Sequence, residues 1–188
     1  MARILVRPAL LVVITLSLLL SSGCAGLFGG RYAQADGLVD EANEAIEEHN
    51  RLFEEARLAY EGAREAVEAG ESTEEAERIA QARQIMQEAR DELKKVREPL
   101  SEMQGLDVEP EIGQYARDLS ETADAQISAE DREIDFYDLL EQDPTLEDSR
   151  TEAENILSEV DDGYEEAEEA YERAQELANA NPELLRER

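Results

Sequence analysis

The stretch that decides the fold is LVDEANEAIEEHNRLFEEARLAYEGAREAV, which covers residues 38–67. Its small and apolar side chains recur alternately every four and every three residues, and a second apolar position lies beside them in each heptad. Three such positions per heptad form the wide stripe by which a helix packs into a bundle. The pattern predicts a long helix that begins near Ala35 and ends before Gly70. Its stripe consists of Leu38, Ala42, Ala45, His49, Leu52, Ala56, Ala59, Ala63 and Ala66, flanked by Val39, Ile46, Phe53, Tyr60 and Val67.

A second helix is predicted to begin at the capping-box sequence Ser72-Thr73-Glu74-Glu75 and to extend to about Met103. Pro99 lies inside this stretch. Proline lacks a backbone N–H and its ring crowds the preceding turn, so we expect a kink or a restart there. Residues 105–109 are predicted to form a turn.

A third helix should begin at Pro110, because proline suits the first position of a helix. Its stripe is less regular than the others, and residues 128–131 indicate a local restart. Asp143-Pro144 should end the third helix and cap the fourth, whose pattern begins at Leu146 and closes at Asn181-Pro182.

These patterns predict an all-α fold: an antiparallel, coiled-coil-like bundle of three to four long helices over residues 35–182, followed by a tail at 183–188. The absence of Trp and the abundance of Ala and Glu agree with this fold. Residues 53–66 and 164–177 are identical at eight of fourteen positions. Both an internal duplication and convergence within one Ala/Glu heptad pattern explain that similarity.

The first 23 residues differ from the rest of the chain and predict a signal peptide. Arg3 and Arg7 provide a short positive segment, and residues 9–20 are almost entirely apolar. A membrane-spanning helix needs about 20 apolar residues, so this segment is too short to span a bilayer. Its length and flanks are typical of a cleaved export signal.

The sequence Ser21-Ser22-Gly23-Cys24 follows the apolar segment and resembles the lipobox of bacterial lipoproteins. Ser22, Gly23 and Cys24 match that motif, whereas Ser21 departs from its usual Leu. The resemblance implies cleavage before Cys24 and a diacylglycerol on its thiol. Residues 25–34 contain glycines and no helical pattern, so the segment 24–34 is predicted to be a flexible tether that carries the lipid. It also implies an exported protein, lipid-anchored in the cell membrane or outer membrane and facing away from the cytoplasm. The alternative is an ordinary secretory peptide, or an uncleaved anchor, with an incidental cysteine.

The charge of the chain restricts its partners. It contains 48 acidic and 18 basic residues, and only two of the basic residues precede Cys24. Such a charge disfavours nucleic acid and anionic lipid surfaces as partners of the helical part. It permits basic proteins, cations or a high-salt environment.

The sequence predicts no catalytic, cofactor or metal site and therefore no enzyme. His49 is the only histidine, and it lies on the apolar stripe of the first helix. The alternatives for it are a base, a ligand or a pH switch. Its position favours instead an interface residue that hydrogen-bonds a facing side chain or snorkels to water. Di-metal bundles need two inward-facing Glu-x-x-His motifs, but Ile46 stands where the glutamate would be. No G-x-S-x-G turn or calcium loop occurs.

These observations favour a membrane-tethered scaffold, spacer or protein-interaction module that binds a protein partner or a second copy of itself. One alternative is a helical module of the envelope that binds a small molecule or ion. The other is a divergent tetratricopeptide-like domain, because Ala167, Tyr171 and Ala174 resemble the second helix of that repeat. An exposed apolar stripe would favour a protein partner, and a closed cavity with converging polar groups would favour a small ligand.

Overall fold

The computed structural model describes residues 29–69 and 72–181. In those ranges the chain forms helices and no strand, which confirms the predicted all-α fold. The helices are α1 (Gly29–Ala69), α2 (Ser72–Lys95), α3 (Arg97–Gln104), α4 (Pro110–Gln142) and α5 (Arg150–Ala180).

The interruption between α2 and α3 has the cause that the sequence predicted. Pro99 cannot donate a hydrogen bond to the carbonyl group four residues earlier, at Lys95. The backbone of Val96 nevertheless keeps helical angles, and the N–H of Leu100 still bonds to its carbonyl oxygen at 3.2 Å. Helices α2 and α3 therefore act as one interrupted rod, and the bundle has four rods.

Side-chain pairs between rods establish their directions. Arg90 of α2 pairs with Asp131 of α4, and Arg97 of α3 pairs with Asp124, so these rods are antiparallel. Helices α4 and α5 are also antiparallel, because Arg132 pairs with Glu159 and Arg173 with Glu121.

Three element boundaries differ from the sequence prediction. Helix α1 begins at Gly29 rather than near Ala35, so residues 29–34 of the predicted tether are helical. Extending an established helix costs far less than nucleating one. Helix α4 continues through residues 128–131 without a restart. Helix α5 begins at Arg150, because Leu146 has a φ of 51°, a left-handed conformation that no α-helix contains.

The bundle consists of two closely packed hairpins. The first hairpin is α1 with α2 and α3, and the second hairpin is α4 with α5; the most extensive backbone contacts occur within them. In the second hairpin a Cβ atom added to Gly163 would lie only 3.0 Å from Cβ of Ala129. Small side chains therefore allow α4 and α5 to approach closely.

The two hairpins meet less closely than the helices within them. Helix α2 contacts α4, but among the described residues no Cα atom of α1 lies within 8 Å of one in α5. Large side chains bridge this wide edge, and the rings of Phe53 and Tyr164 meet there edge to face at 6.2 Å. The α1–α5 edge is thus held by side chains rather than by backbone approach.

Apolar side chains fill the bundle in two main clusters. One contains Ile46, Leu93 and Ile127, and the other contains Phe53, Met86 and Ile134. Polar residues lie between the two clusters, at the level of His49 on α1 and Glu130 on α4.

The glycines of α1 and α5 provide a matched test of this packing. No atom would lie within 4 Å of a Cβ added to Gly37, so Gly37→Leu should stabilise α1 by about 0.5–1 kcal/mol through its helix propensity. Gly163→Leu should destabilise the protein by about 1–3 kcal/mol, because the side chain would overlap Ala129. Urea unfolding followed by circular dichroism measures both changes. Equal stabilisation by the two substitutions would contradict the close α4–α5 contact.

Candidate functional site

The most unusual feature of the interior is a set of hydrogen-bonded polar side chains in the middle of the bundle. His49 is 1% exposed and Glu130 is 0% exposed, although both can carry charge. Such groups are rarely buried unless they are paired. The set, here named the polar belt, consists of His49, Gln126, Glu130, Glu133, Tyr137 and Tyr164.

His49 and Glu130 form the central pair of the polar belt. Nε2 of His49 lies 2.7 Å from Oε1 of Glu130, and Nδ1 lies 3.1 Å from Oδ1 of Asn50. An oxygen acceptor thus faces each ring nitrogen, and the amide nitrogen of Gln126 lies 3.3 Å from Nε2 as well. Gln126 also donates to Oε1 of Glu130, at 3.2 Å.

The second oxygen of Glu130 lacks this support. Its Oε2 atom is buried and has no hydrogen-bond partner among the described residues. A buried acceptor without a partner costs about 1–3 kcal/mol. A cavity of about 10 Å³ lies near His49 and Gln126, which is room for at most one water molecule. An organic ligand does not fit there.

Glu133 lies one helical turn beyond Glu130 and receives two phenol hydrogen bonds. The hydroxyl of Tyr137 donates to Oε1 at 2.6 Å, and that of Tyr164 donates to Oε2 at 3.0 Å. Burial raises the pKa of Glu133, and the charge of Glu130 adds to this effect, while the two phenols partly oppose it. Burial and the negative charge of Glu133 also raise the pKa of both tyrosines well above its usual value. Both phenols therefore remain protonated donors at physiological pH.

Aromatic rings connect the polar belt across the wide α1–α5 edge. The ring of Phe53 lies 5.7 Å from that of His49 and 6.2 Å from that of Tyr164. Further along α1, the ring of Tyr60 lies 5.4 Å from that of Tyr137. These contacts connect both hairpins, so the polar belt lies where the hairpins meet.

A second concave feature lies on the surface at the α4–α5 turn. It is an open groove of about 760 Å³, and its lining residues include six acidic side chains and one arginine, Arg132. Arg132 pairs with Asp135 and Glu159 on its two sides. The acids along the groove are Asp135, Asp138, Asp143, Asp148, Glu152 and Glu159.

Asp143 holds the turn before α5 together rather than capping that helix as the sequence predicted, because the N-cap of α5 is Ser149 and has no side-chain cap hydrogen bond. Its Oδ2 atom accepts the backbone N–H groups of Asp148 at 3.1 Å and Ser149 at 3.0 Å, immediately before α5. Desolvation acts to raise the pKa of Asp143, but the hydrogen bonds from Ser149, Asp148 and Thr145 outweigh it and lower the pKa.

The structure describes only some of the residues that the sequence analysis singled out. Ser21, Ser22, Gly23 and Cys24 lie outside the described residues, so their lipobox interpretation stays a prediction. The hydrogen bond expected from His49 to a facing side chain is confirmed, and the ring is fully buried rather than snorkelling to water. No group of three or more potential metal ligands occurs in residues 29–69 and 72–181.

Sequence reasoning missed the partners of His49. Gln126, Glu130 and Tyr137 follow the heptad spacing of Ala123, Ile127 and Ile134 on the buried face of α4. The signal available in the sequence was a charged residue, Glu130, at a position where the heptad spacing predicts an apolar one. The restart predicted at residues 128–131 does not occur, and Glu130 is a buried carboxylate within a continuous helix.

Comparison of the chain with models of known families, with curated proteins and with solved structures finds no significant match. None of the described helices combines the length and the apolar character needed to cross a bilayer.

A double-mutant cycle tests whether His49 and Glu130 act as one unit. His49→Leu alone should destabilise the protein by about 3–5 kcal/mol, because it leaves a buried carboxylate without its partner. The double variant His49→Leu/Glu130→Leu should recover most of this loss, since apolar residues can replace a buried ion pair. Urea unfolding at pH 7 measures the cycle. If the double variant is as unstable as the sum of the two single variants, the residues are not coupled.

Proposed function

We propose that this chain is an exported lipoprotein whose acidic helical bundle is a membrane-tethered spacer and scaffold for a basic protein partner. The sequence around Cys24 supports the membrane anchor. The length, packing and surface charge of the bundle support the spacer and the scaffold.

The short distance along the chain between Cys24 and α1 supports a membrane-proximal bundle. Helix α1 begins at Gly29, so only residues 25–28 separate it from the proposed lipid. Four extended residues reach about 14 Å at most. The first turn of α1 would therefore stay close to the bilayer surface.

The length of the rods supports the spacer function. Helix α1 contains 41 residues, which corresponds to about 60 Å. His49 of α1 bonds Glu130 of α4, and Tyr60, further along α1, contacts Tyr137, further along α4. Helices α1 and α4 are therefore parallel. The carboxyl end of α4 and the α4–α5 turn therefore lie at the end of the bundle away from the anchor.

The division between apolar interior and acidic surface is the observation that carries the scaffold proposal. Leu58, at 59% exposure, is the one large hydrophobic side chain exposed among the described residues. In the part of the chain that the structure describes, no apolar stripe therefore remains for a partner helix or a second copy of the bundle. What the surface offers is carboxylate charge, which suits a basic protein segment.

The charge is concentrated where no basic side chain neutralises it. On α1, Arg51 and Arg57 pair with neighbouring glutamates. On α5, four clustered glutamates form no ion pair within the described residues: Glu165, Glu168, Glu169 and Glu172. We name these four residues the α5 acidic face and propose it as the region of closest partner contact.

The other functions considered from the sequence have less support. The internal cavity holds one water at most, which argues against a buried small-molecule site. The open acidic groove at the α4–α5 turn keeps cation binding as a second candidate. A tetratricopeptide repeat places two helices in about 34 residues, whereas α4 and α5 alone contain 33 and 31 residues.

The anchor is tested by Cys24→Ala, with Ser22→Ala as a control that preserves a small residue before the cysteine. Cys24→Ala should move the protein from the membrane fraction to the soluble fraction or leave it unprocessed, because no thiol remains for acylation. Ser22→Ala should remain lipidated and membrane-bound. Cell fractionation and intact-mass measurement report both results. Unchanged mass and detergent partitioning of Cys24→Ala would contradict the anchor.

The scaffold is tested by neutralising the α5 acidic face in the cell envelope. Changing its four glutamates to glutamine should reduce cross-linking to the partner several-fold, because the long-range attraction is lost. The matched control changes Glu48, Glu54, Glu55 and Glu61 to glutamine, which removes the same charge from acids already paired with arginine. Equal loss in both variants would assign binding to net charge rather than to this face.

A further inference from the structure

One short turn, residues 105–109, connects the two hairpins. Each hairpin has an extensive seam of its own. Between the hairpins, α2 and α3 make backbone contacts with α4. Among the described residues, α1 reaches the second hairpin only through side chains, such as those of His49 and Phe53. The hairpins are therefore two packed units that a segment of five residues joins.

The backbone of this turn can open without adopting a rare conformation. Gly105 keeps helical angles, with φ −88° and ψ −7°, and Glu109 is already extended, with φ −57° and ψ 137°. The backbone hydrogen bonds around the turn stay on one side of it. The N–H groups of Gly105 and Leu106 bond to carbonyl oxygens of α3, and that of Ile112 bonds to Glu109. Extending the segment between Leu106 and Glu109 leaves these three bonds in place.

The interface between the hairpins does not require that both belong to one chain. The pair of His49 and Glu130 is buried within it, and the exposed pair of Arg90 and Asp131 joins α2 to α4. A second copy of the chain carries the same side chains, so its second hairpin offers the same interface. On the outer surface of the described residues, Leu58 is the one large hydrophobic side chain exposed. Exchange of hairpins is therefore the route by which two copies can share an apolar interface.

We propose that two copies of the chain form a dimer by exchanging hairpins, so that the first hairpin of each copy packs against the second hairpin of the other. Domain swapping of this kind uses contacts that the monomer already makes. Both interfaces of the dimer contain the apolar clusters and the His49–Glu130 pair, and the two turns at residues 105–109 cross between the bundles. The exchange depends neither on the proposed membrane anchor nor on the proposed basic partner.

The position of the turn suits two bundles that stand side by side. Because α1 and α4 are parallel, the turn before α4 lies at the same end of the bundle as Gly29. An extended chain from Gln104 to Pro110 spans about 20 Å, whereas the axes of packed helices lie about 8–10 Å apart. The turn can therefore reach a neighbouring bundle while both amino-terminal ends point the same way. If the proposed scaffold function holds, each dimer presents two α5 acidic faces to its partner, which raises avidity.

The charge of the chain opposes the approach of two copies. It contains 48 acidic and 18 basic residues, so two bundles repel each other. In 1 M NaCl the range of this repulsion falls to about 3 Å, whereas the buried contacts between hairpins are little screened. The exchange is therefore best measured in 1 M NaCl.

Two complementary variants test the exchange directly. A chain with His49→Leu leaves Glu130 without its imidazole partner, and a chain with Glu130→Leu leaves His49 without its carboxylate. When these two chains exchange hairpins, one interface regains the original pair and the other contains two leucines. The full-length chains, with an affinity tag on His49→Leu only, are unfolded in urea, mixed and refolded in detergent with 1 M NaCl. The tagged chain is then recovered.

The untagged Glu130→Leu chain should be recovered about tenfold more than in a control in which both chains carry His49→Leu, because every interface in the control keeps an unpaired buried carboxylate. The control also measures chance sharing of detergent micelles. The recovered mixture should unfold at a higher urea concentration than either variant alone. Neither variant needs to fold alone, because the mixture restores one original interface. Equal recovery from the two mixtures, or a mixture no more stable than its components, would overturn the proposal.

Discussion

The hydrogen-bonded pair of His49 and Glu130 is the contact that aligns the two hairpins. Apolar heptad stripes tolerate sliding, because a shift by one heptad replaces one small or apolar side chain with a similar one. A buried carboxylate does not tolerate such a shift, because it would lose its only imidazole partner. We infer that this pair selects one register from several that the alanine-rich stripes would allow. Within the second hairpin, Glu133 of α4 adds a separate restriction, because it accepts hydrogen bonds from the hydroxyl of Tyr137 on α4 and that of Tyr164 on α5.

The acidity of the chain explains why so little else is polar inside. With 48 acidic and 18 basic residues, the fold must leave most carboxylates in water. The apolar side chains accordingly point inward, and the small ones form close seams within the hairpins, as at Ala129 and Gly163. Arginines are distributed along the outside, where they connect α2 to α4 through Arg83 and Arg90. The surface that remains on α5 is strongly acidic.

The bundle places carboxylates in two different environments, on the exposed surface and in the interior. Exposed carboxylates attract cationic partners from a distance but add little stability. Buried carboxylates need a partner instead, as Glu130 has in His49 and Glu133 has in the hydroxyls of Tyr137 and Tyr164. The same residue type thus lies in water on α5 and fixes side-chain positions on α4, and burial distinguishes the two.

Local features of the sequence determined much of the architecture. Heptad spacing predicted three to four long helices, Pro99 predicted the interruption that follows Lys95, and Asp143-Pro144 predicted the end of α4. These effects act within a few residues, through helix periodicity and the missing N–H of proline, so they can be recognised without a partner. The lipobox-like sequence at Cys24 is likewise a property of the sequence alone.

The tertiary structure decided what depends on residues distant along the chain. Packing kept α4 helical through residues 128–131, where the sequence indicated a restart, and Ala129 and Glu130 are buried there. It also placed Glu130 against His49, which lies 81 residues away in the sequence. Heptad spacing identifies which face of a helix is buried, but not which side chain of another helix lies opposite. That pairing arises only when both hairpins are folded and a buried charge must find its partner.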